Sequence, residues 1–443
     1  MYPNLYYVLK DWFGVEWHKF EFINMFGLMV AFAFAAAAWV ISKELQRKEK
    51  QGLLTSRDEV IMVGKPASIQ DLILNGVVGF VFGYKIIGLL FSKPIEVNAQ
   101  DYIFSKQGNI VGGILIAALL AGVKWWDANK QKLAQPERRT VRIWPHDRVG
   151  DIIVLGLIFG ILGAKLFDAV ENMESLIEDP IGTIFSASGL TFYGGLILAS
   201  IAICWYGYKK GIKLIHLVDS AAPALMIAYA IGRIGCQVAG DGDWGVYNSA
   251  YALNENGKII AATSNEFENK LKQHETYFLN GSVADSTGKQ LFVTNRTYPT
   301  LQDVPRKYFK GPSFLPNWLF AYPYPKNVNK DGIFIKGDKD EHNKVLPSPV
   351  FPTPLYEIII CTFFFFILWA IRKKINIAGI MFSLYLILNG TERFLIEKIR
   401  VNDHYDTAGV SLSQAQIIAI SLILVGFLLT FWSISKYKAP SNM

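Results

Sequence analysis

Cysteine is scarce: 443 residues hold three, Cys204, Cys236 and Cys361, each in or at the end of an apolar run. That count and placement speak against a disulfide framework and against a thiolate metal site. Charge is scarce as well, 18% of residues against roughly a quarter in soluble domains. Disorder and an ordinary cytosolic enzyme both fit poorly with so little charge. The six histidines show no metal-ligand spacing, and no Ser/His/Asp arrangement stands out. A block of basic residues of the kind that binds nucleic acid is also missing. The surplus of 44 Lys+Arg over 37 Asp+Glu gathers beside apolar runs, where it orients a chain in lipid.

What fills the sequence instead is hydrophobic, 51% of all residues. Apolar runs lie at about 23–42, 70–92, 107–125, 149–170, 189–207, 218–238, 355–371, 377–396 and 413–434. Each is long enough to cross a hydrocarbon core of roughly 30 Å, and in lipid its backbone must be helical. The expected fold is therefore an all-α polytopic membrane protein with about nine spans. Lys43, Arg47, Lys48 and Lys50 follow the first run, Arg138, Arg139, Arg142 and Arg148 the third, Lys209, Lys210 and Lys213 the fifth, and Arg372, Lys373 and Lys374 the seventh. Acids, Glu171, Glu174, Glu178 and Asp179, follow the fourth. The alternation puts the N-terminus outside and the C-terminus inside. Basic residues after the first run, and not before it, argue against a cleaved signal peptide.

The one long loop runs from about 240 to 350 and falls outside. Its 13 Lys+Arg against 10 Asp+Glu over 246–348 offer no field for an anionic polymer, and stretches such as Lys289-Gln-Leu-Phe-Val-Thr predict a small mixed or β-rich cap. An internal repeat is also visible. Asp71, Gly76, Gly83 and Lys85 recur as Asp151, Gly156, Gly163 and Lys165 at an offset of 80, and Gly112-Gly113 recurs as Gly194-Gly195 at 82. Both copies enter from the inside, so the repeat is parallel; its glycines most simply permit close helix packing.

Ionisable groups inside spans are costly, about 2.5–3.5 kcal/mol for Arg or Asp at a helix centre. Arg233 lies near the outer end of the sixth run with no acid three or four residues away, so it needs a distant partner or an anionic ligand. Arg393, Glu397 and Arg400 share one helix face near the outer end of the eighth, as a self-neutralising ladder or as a site. After the sixth run comes Gly240-Asp-Gly-Asp-Trp-Gly245, a turn whose acids Asp241 and Asp243 also suit a metal or general-base role. Tyr193, before Gly194-Gly195, and Tyr356, in Val350-Phe-Pro-Thr-Pro-Leu-Tyr-Glu357, are interfacial aromatics or polar groups aimed into a cavity.

Four motifs stand in order: Phe192-Tyr-Gly-Gly-Leu-Ile197, Gly232-Arg-Ile-Gly235 with Trp244-Gly245, Pro352-Thr-Pro-Leu-Tyr-Glu357, and Gly390-Thr-Glu-Arg-Phe-Leu-Ile-Glu397. Together, and with Phe26-Gly-Leu-Met29 and Ser413-Gln-Ala-Gln416, they resemble the bacterial prolipoprotein diacylglyceryl transferases over about 20–45, 145–245 and 350–435. The resemblance implies transfer of a diacylglyceryl group from phosphatidylglycerol to the lipobox cysteine thiol of a preprolipoprotein, giving a thioether and glycerol phosphate, without a cofactor or metal. It implies a multi-pass protein of the bacterial cytoplasmic membrane, its site toward the outer leaflet, with membrane lipid and no nucleic acid as partner. The chain would then divide into an N-terminal segment with the first span (1–67), an extra helix pair (68–126), a core in two halves (145–245 and 349–443), and the cap (246–348).

Residue by residue, the resemblance makes Arg233 and Arg393 the phosphate grip, with Arg400 as a further candidate, and Glu397 the acid that orients Arg393. It leaves Asp241 and Asp243 as equal claimants to the family's acid, and assigns Gly194, Gly195 and Tyr356 to substrate binding. Asp219, at the start of the sixth span, is assigned a structural part. Where the family has His-Gly-Gly this chain has Tyr193-Gly-Gly, and its His-Pro is Phe351-Pro. A histidine base therefore does not carry over, and Tyr193 is left as a hydrogen-bond donor to phosphate or thiolate. A thiol with pKa of about 8.5 is a few per cent thiolate at pH 7, so a dedicated base is dispensable. Two other readings remain at this point: a secondary transporter built on the repeat, and a non-catalytic lipid or lipoprotein receptor.

Overall fold

The computed structural model describes residues 1–91, 102, 105–185, 191–254, 257–285, 287–402, 404–407 and 410–438. Residues 92, 189 and 190, at the edges of two expected spans, lie outside that set. The chain is mostly helical and polytopic. Ten helices carry the argument: α1 (Leu5–Phe13), α2 (Met25–Lys50), α3 (Ile69–Phe91), α4 (Ile110–Lys130), α5 (Val149–Glu171), α6 (Phe192–Lys209), α7 (Leu214–Ala239), α8 (Thr353–Ile371), α9 (Ile380–Glu397) and α10 (Gln414–Lys438). Seven are long and apolar enough to cross a membrane, namely α2, α3, α4, α5, α7, α8 and α10. The other two expected spans are present as the 18-residue helices α6 and α9. Glu392, Arg393 and Glu397 bring three charges into α9, which is what makes it less apolar than its neighbours.

Two compact units divide the chain. One comprises residues 16–22 and 41–217. It contains the repeat, and the repeat is longer than the sequence suggests. Strand β1 (Arg57–Val63) precedes α3, and strand β2 (Glu137–Ile143) precedes α5, again 80 residues on. They pair antiparallel, Arg57 opposite Ile143, Val60 opposite Thr140 and Val63 opposite Glu137. Helices α3 and α5 are both 23 residues long and begin 80 residues apart. The strands escaped the sequence reading because their side chains are exposed almost throughout, so no alternation marks them.

Glycine sets the packing of both helix pairs. A Cβ on Gly83 would stand 2.5 Å from the Gly112 carbonyl, and one on Gly79 2.7 Å from that of Ile116, so α3 and α4 touch backbone to backbone. Helices α5 and α6 do the same, with Gly195 against the Gly160 carbonyl at 2.7 Å and Gly163 against Gly194. Such close approach lets dispersion hold helices together where lipid removes the hydrophobic drive.

The other unit comprises residues 1–15, 23–40 and 218–443. Between α7 and α8 it carries the expected mixed insertion, short two-stranded ladders and two short helices, Glu266–Gln273 and Glu275–Asn280. Gln290–Phe292 forms a strand as expected and pairs with Ser282–Ala284. An aromatic core of Trp244, Tyr247, Phe267, Tyr277, Phe278 and Tyr324 holds the insertion together. Helix ends in this unit are fixed by side chains. Asp219 accepts the Gly379 and Phe382 N–H groups at 2.8 and 3.0 Å, capping α9. Ser413 and Gln416 form a reciprocal cap at the start of α10, at 3.0 and 3.2 Å.

Candidate active site

The insertion meets the spans at a cluster of ionised side chains. Its first wall is the Gly240–Gly245 turn. Gly240 (φ +66°) and Gly242 (φ +95°) occupy backbone conformations that favour glycine, which folds the two aspartates back toward α7. The turn is pinned from both directions. Trp244 is buried in the insertion's aromatic core, Arg296 stacks on its ring at 5.4 Å and donates to the Gly242 carbonyl, and Thr353 at the head of α8 donates to the Asp243 carbonyl at 2.7 Å. Backbone pairing of Gly245 with Phe351 and of Val246 with Ile399 ties the turn to the start of α8 and the end of α9. Phe351, where the resemblance expects a histidine, thus contributes main-chain hydrogen bonds.

Onto this frame three arginines converge. Arg233, from the last two turns of α7, pairs with Asp243 and, through Nε, with Glu357 at 2.9 Å. Arg400 reaches Asp243 at 2.6 Å and Glu357 at 3.8 Å. Arg393 pairs with Glu357 and with Glu397, one turn on, both at 3.4 Å. Glu357 is thus the hub, contacted by all three guanidiniums and by the Tyr229 hydroxyl at 2.9 Å, and it is wholly enclosed. Tyr229 also lies under the Arg233 guanidinium, 5.2 Å from centroid to carbon. Glu397 is equally buried and accepts from Ser413 at 2.8 Å and from Asn402.

The two aspartates separate clearly. Burial alone would raise the Asp243 carboxyl, but Arg233 and Arg400 outweigh it and hold it down at about 2. Among the described residues Asp241 pairs with no guanidinium; burial first, and the Asp243 charge second, push its carboxyl up. Its Oδ1 accepts the Asp243 N–H at 3.3 Å. Asp243 is the acid of the cluster, and Asp241 braces the turn.

Cys236 is buried inside the same cluster, its sulfur 3.5 Å from Arg233 and 3.8 Å from Asp243. One ligand atom each from Cys236, Asp241 and Asp243 lie within 4.8 Å of one another. That trio is a poor cation site, since Asp243 is already engaged by two guanidiniums whose charge repels a metal.

Of the other expected residues, Tyr356 donates its hydroxyl to the Leu319 carbonyl at 2.7 Å and so fastens the insertion to α8. Gly194 and Gly195 pack α6 against α5, and Tyr193 lies half-buried in the first turn of α6; these three belong to the repeat-bearing unit. The sequence reading did not single out Glu357, Tyr229 or Glu392. A signal existed for the first, because Glu357 is the one charged residue in the otherwise apolar α8. Glu392 precedes Arg393 and is buried, and among the described residues neither of its carboxylate oxygens has a hydrogen-bond partner.

These features define a polytopic membrane protein whose buried guanidinium–carboxylate centre lies where an insertion meets three spans. Comparison with known proteins narrows the class. The family model for prolipoprotein diacylglyceryl transferase matches residues 130–432, so the chain belongs to that family. It is 25% identical over 344 residues to the phosphatidylglycerol–prolipoprotein diacylglyceryl transferase of Leptospira interrogans (strain Fiocruz L1-130), covering 66% of this chain and 81% of that one. The protein of the same name from Dehalococcoides mccartyi (strain BAV1) is 25% identical over 359 residues, 79% of this chain and 99% of its own. That of Aliivibrio fischeri (strain ES114) is 21% identical over 304 residues, 67% and 78% of the two chains. The transporter reading falls with this membership.

Proposed function

We propose that the protein transfers a diacylglyceryl group from phosphatidylglycerol to the lipobox cysteine thiol of a preprolipoprotein. The observation that carries the reading is the convergence of Arg233, Arg393 and Arg400 at one buried centre in a member of this family. In the reaction the thiol sulfur attacks the glycerol carbon that bears the phosphate. A C–S bond forms, the C–O bond to phosphate breaks, and glycerol phosphate leaves with the electron pair. The phosphodiester monoanion becomes a monoester dianion while the thiol proton is lost. Fixed guanidinium forks in low dielectric stabilise that growing charge.

The ion pairs of the centre support a seat for the phosphate beside Asp243 and Arg393. Glu357 and Glu397 are enclosed, whereas the Asp243 side chain keeps a third of its surface exposed and is the partner an entering anion can displace. Both ion pairs described for Arg393 are as long as 3.4 Å and its side chain is the most exposed of the three, leaving its fork most available to the lipid. The charge alternation of the loops supports an N-terminus outside, an insertion outside, and a centre opening to the outer leaflet of a bacterial cytoplasmic membrane.

The test is turnover by the purified protein with phosphatidylglycerol and a lipobox peptide, reading the thioether product by mass. Thioether and released glycerol phosphate in equal amounts are expected. Saturable lipid binding without product would make the protein a receptor and overturn the reading.

A further inference from the structure

The insertion carries an exposed apolar surface that the transfer chemistry does not use. Tyr308, Phe309, Phe314, Leu315 and Trp318 present their side chains outward along Lys307–Tyr322, with Phe314 82% and Tyr308 74% exposed. Elsewhere in the insertion Tyr247, Phe267, Tyr277, Phe278 and Tyr324 are buried in its core, and Phe292 stands exposed by itself. Five exposed apolar side chains on one short segment are the composition that marks an interaction surface.

The segment is not loose. The Lys307 ammonium donates to the Lys398 carbonyl at 2.6 Å, immediately after α9 ends. The Tyr356 hydroxyl, in the first turn of α8, holds the Leu319 carbonyl at 2.7 Å. Asn248 donates to the Phe309 and Phe320 carbonyls at 2.9 and 3.0 Å, and Tyr322 pairs with Val350 through both backbone groups. Pro312 and Pro316 stiffen what remains. The patch is therefore fixed at the level where α8 begins, which is the height of the membrane surface for a helix that spans it.

Chemistry selects the occupant. Residues 305–322 contain Arg306, Lys307 and Lys310 and no acid. Trp and Tyr with basic residues beside them are the composition of a membrane interface, where rings sit among headgroups and ammonium groups reach lipid phosphates. We propose that Tyr308–Trp318 docks into the headgroup region of the bilayer that the chain itself spans, on the side where α8 begins. This proposal stands on the spans and the tethers, independently of the transfer reaction.

The test uses the full chain in vesicles of phosphatidylcholine with about a third phosphatidylglycerol. After Cys204→Ser, spin labels are placed singly at Phe314→Cys and Trp318→Cys, two exposed positions whose substitution disturbs no core contact, and collisions with oxygen and with a water-soluble nickel chelate are measured. Oxygen should outweigh nickel several-fold at both positions, as for labels below a headgroup layer. Nickel accessibility equal to that of a fully hydrated label would overturn docking. Shielding from both reagents would overturn it too, because it would mean that protein covers the patch.

Discussion

Lys85 and Arg233 are both cations near the end of a membrane helix, and the molecule treats them in opposite ways. The Lys85 ammonium is spent on backbone, donating to the carbonyls of Tyr102, Ser105 and Gln107 at 2.7, 2.5 and 2.9 Å. It closes the connection from α3 to α4 and leaves little for a ligand. Arg233 faces carboxylates instead, in a centre where three guanidiniums share Glu357 and where Asp243 stays partly open. Backbone carbonyls make a finished structure, whereas ion pairs with an exposed member leave a site that an anion can enter.

That contrast is broken most severely at its hub. Glu357→Gln should remove the charge that holds three guanidiniums in a buried space, at a cost on the order of 3 kcal/mol. Thermal unfolding in detergent should show a lowered midpoint, and an unchanged midpoint would deny Glu357 its central place. Next come the arginines themselves. Arg233→Lys and Arg393→Lys keep the charge and lose the fork, so each should fold, insert and lose on the order of 10²–10³-fold in turnover. A Lys variant that keeps more than about a third of wild-type turnover is not missing a phosphate grip.

On the structural side, Gly83→Ala drives a methyl group into the Gly112 carbonyl and should cost about 1–3 kcal/mol, read as lower yield and melting temperature, with turnover per folded molecule retained. Gly76→Ala, with no atom within 4 Å of the new methyl, should be neutral or slightly stabilising. Equal damage from both would show that helix packing is not what the glycines serve.

The mildest test sets one aspartate against the other. Asp243 is depressed from an unfolded value of about 3.9, so its contribution is present above that pH and fades as pH falls toward about 2. Asp243→Asn should abolish that acid limb and lower stability at pH 7. Asp241 is raised, so ionising it in the folded protein weakens stability as pH climbs through its unfolded value. Asp241→Asn should leave stability at pH 7 unchanged or improved. The check is unfolding midpoint against pH for the two variants, and like behaviour of the pair would overturn the assignment of Asp243 as the cluster's acid.

Much of this was legible in the residues. Nine apolar runs gave the helices, and Arg233, with no acid within a turn, announced a partner from elsewhere, which proved to be Asp243 and Glu357. Choosing between Asp241 and Asp243 was beyond the sequence, because the choice is made by two left-handed glycines and by Arg296, 53 residues further on in the chain than Asp243. Glu392 and Tyr229 were obscured for a related reason. Their importance lies in what surrounds them, and neighbours brought by folding leave no local pattern.

The antiparallel pairing of β1 with β2 has a consequence for how such a chain is put together. Under the 80-residue offset Val60 corresponds to Thr140, Arg57 to Glu137 and Val63 to Ile143, yet Arg57 faces Ile143 and Val63 faces Glu137. Each residue therefore meets the counterpart of its mirror position, with Val60 and Thr140 on a local two-fold axis. That is the self-complementary pairing of a homodimer, written inside one polypeptide. A single strand–helix–helix cassette carries in its own strand the surface for engaging a twin. Joining two such cassettes in series converts an association that depends on concentration into one that is always within reach.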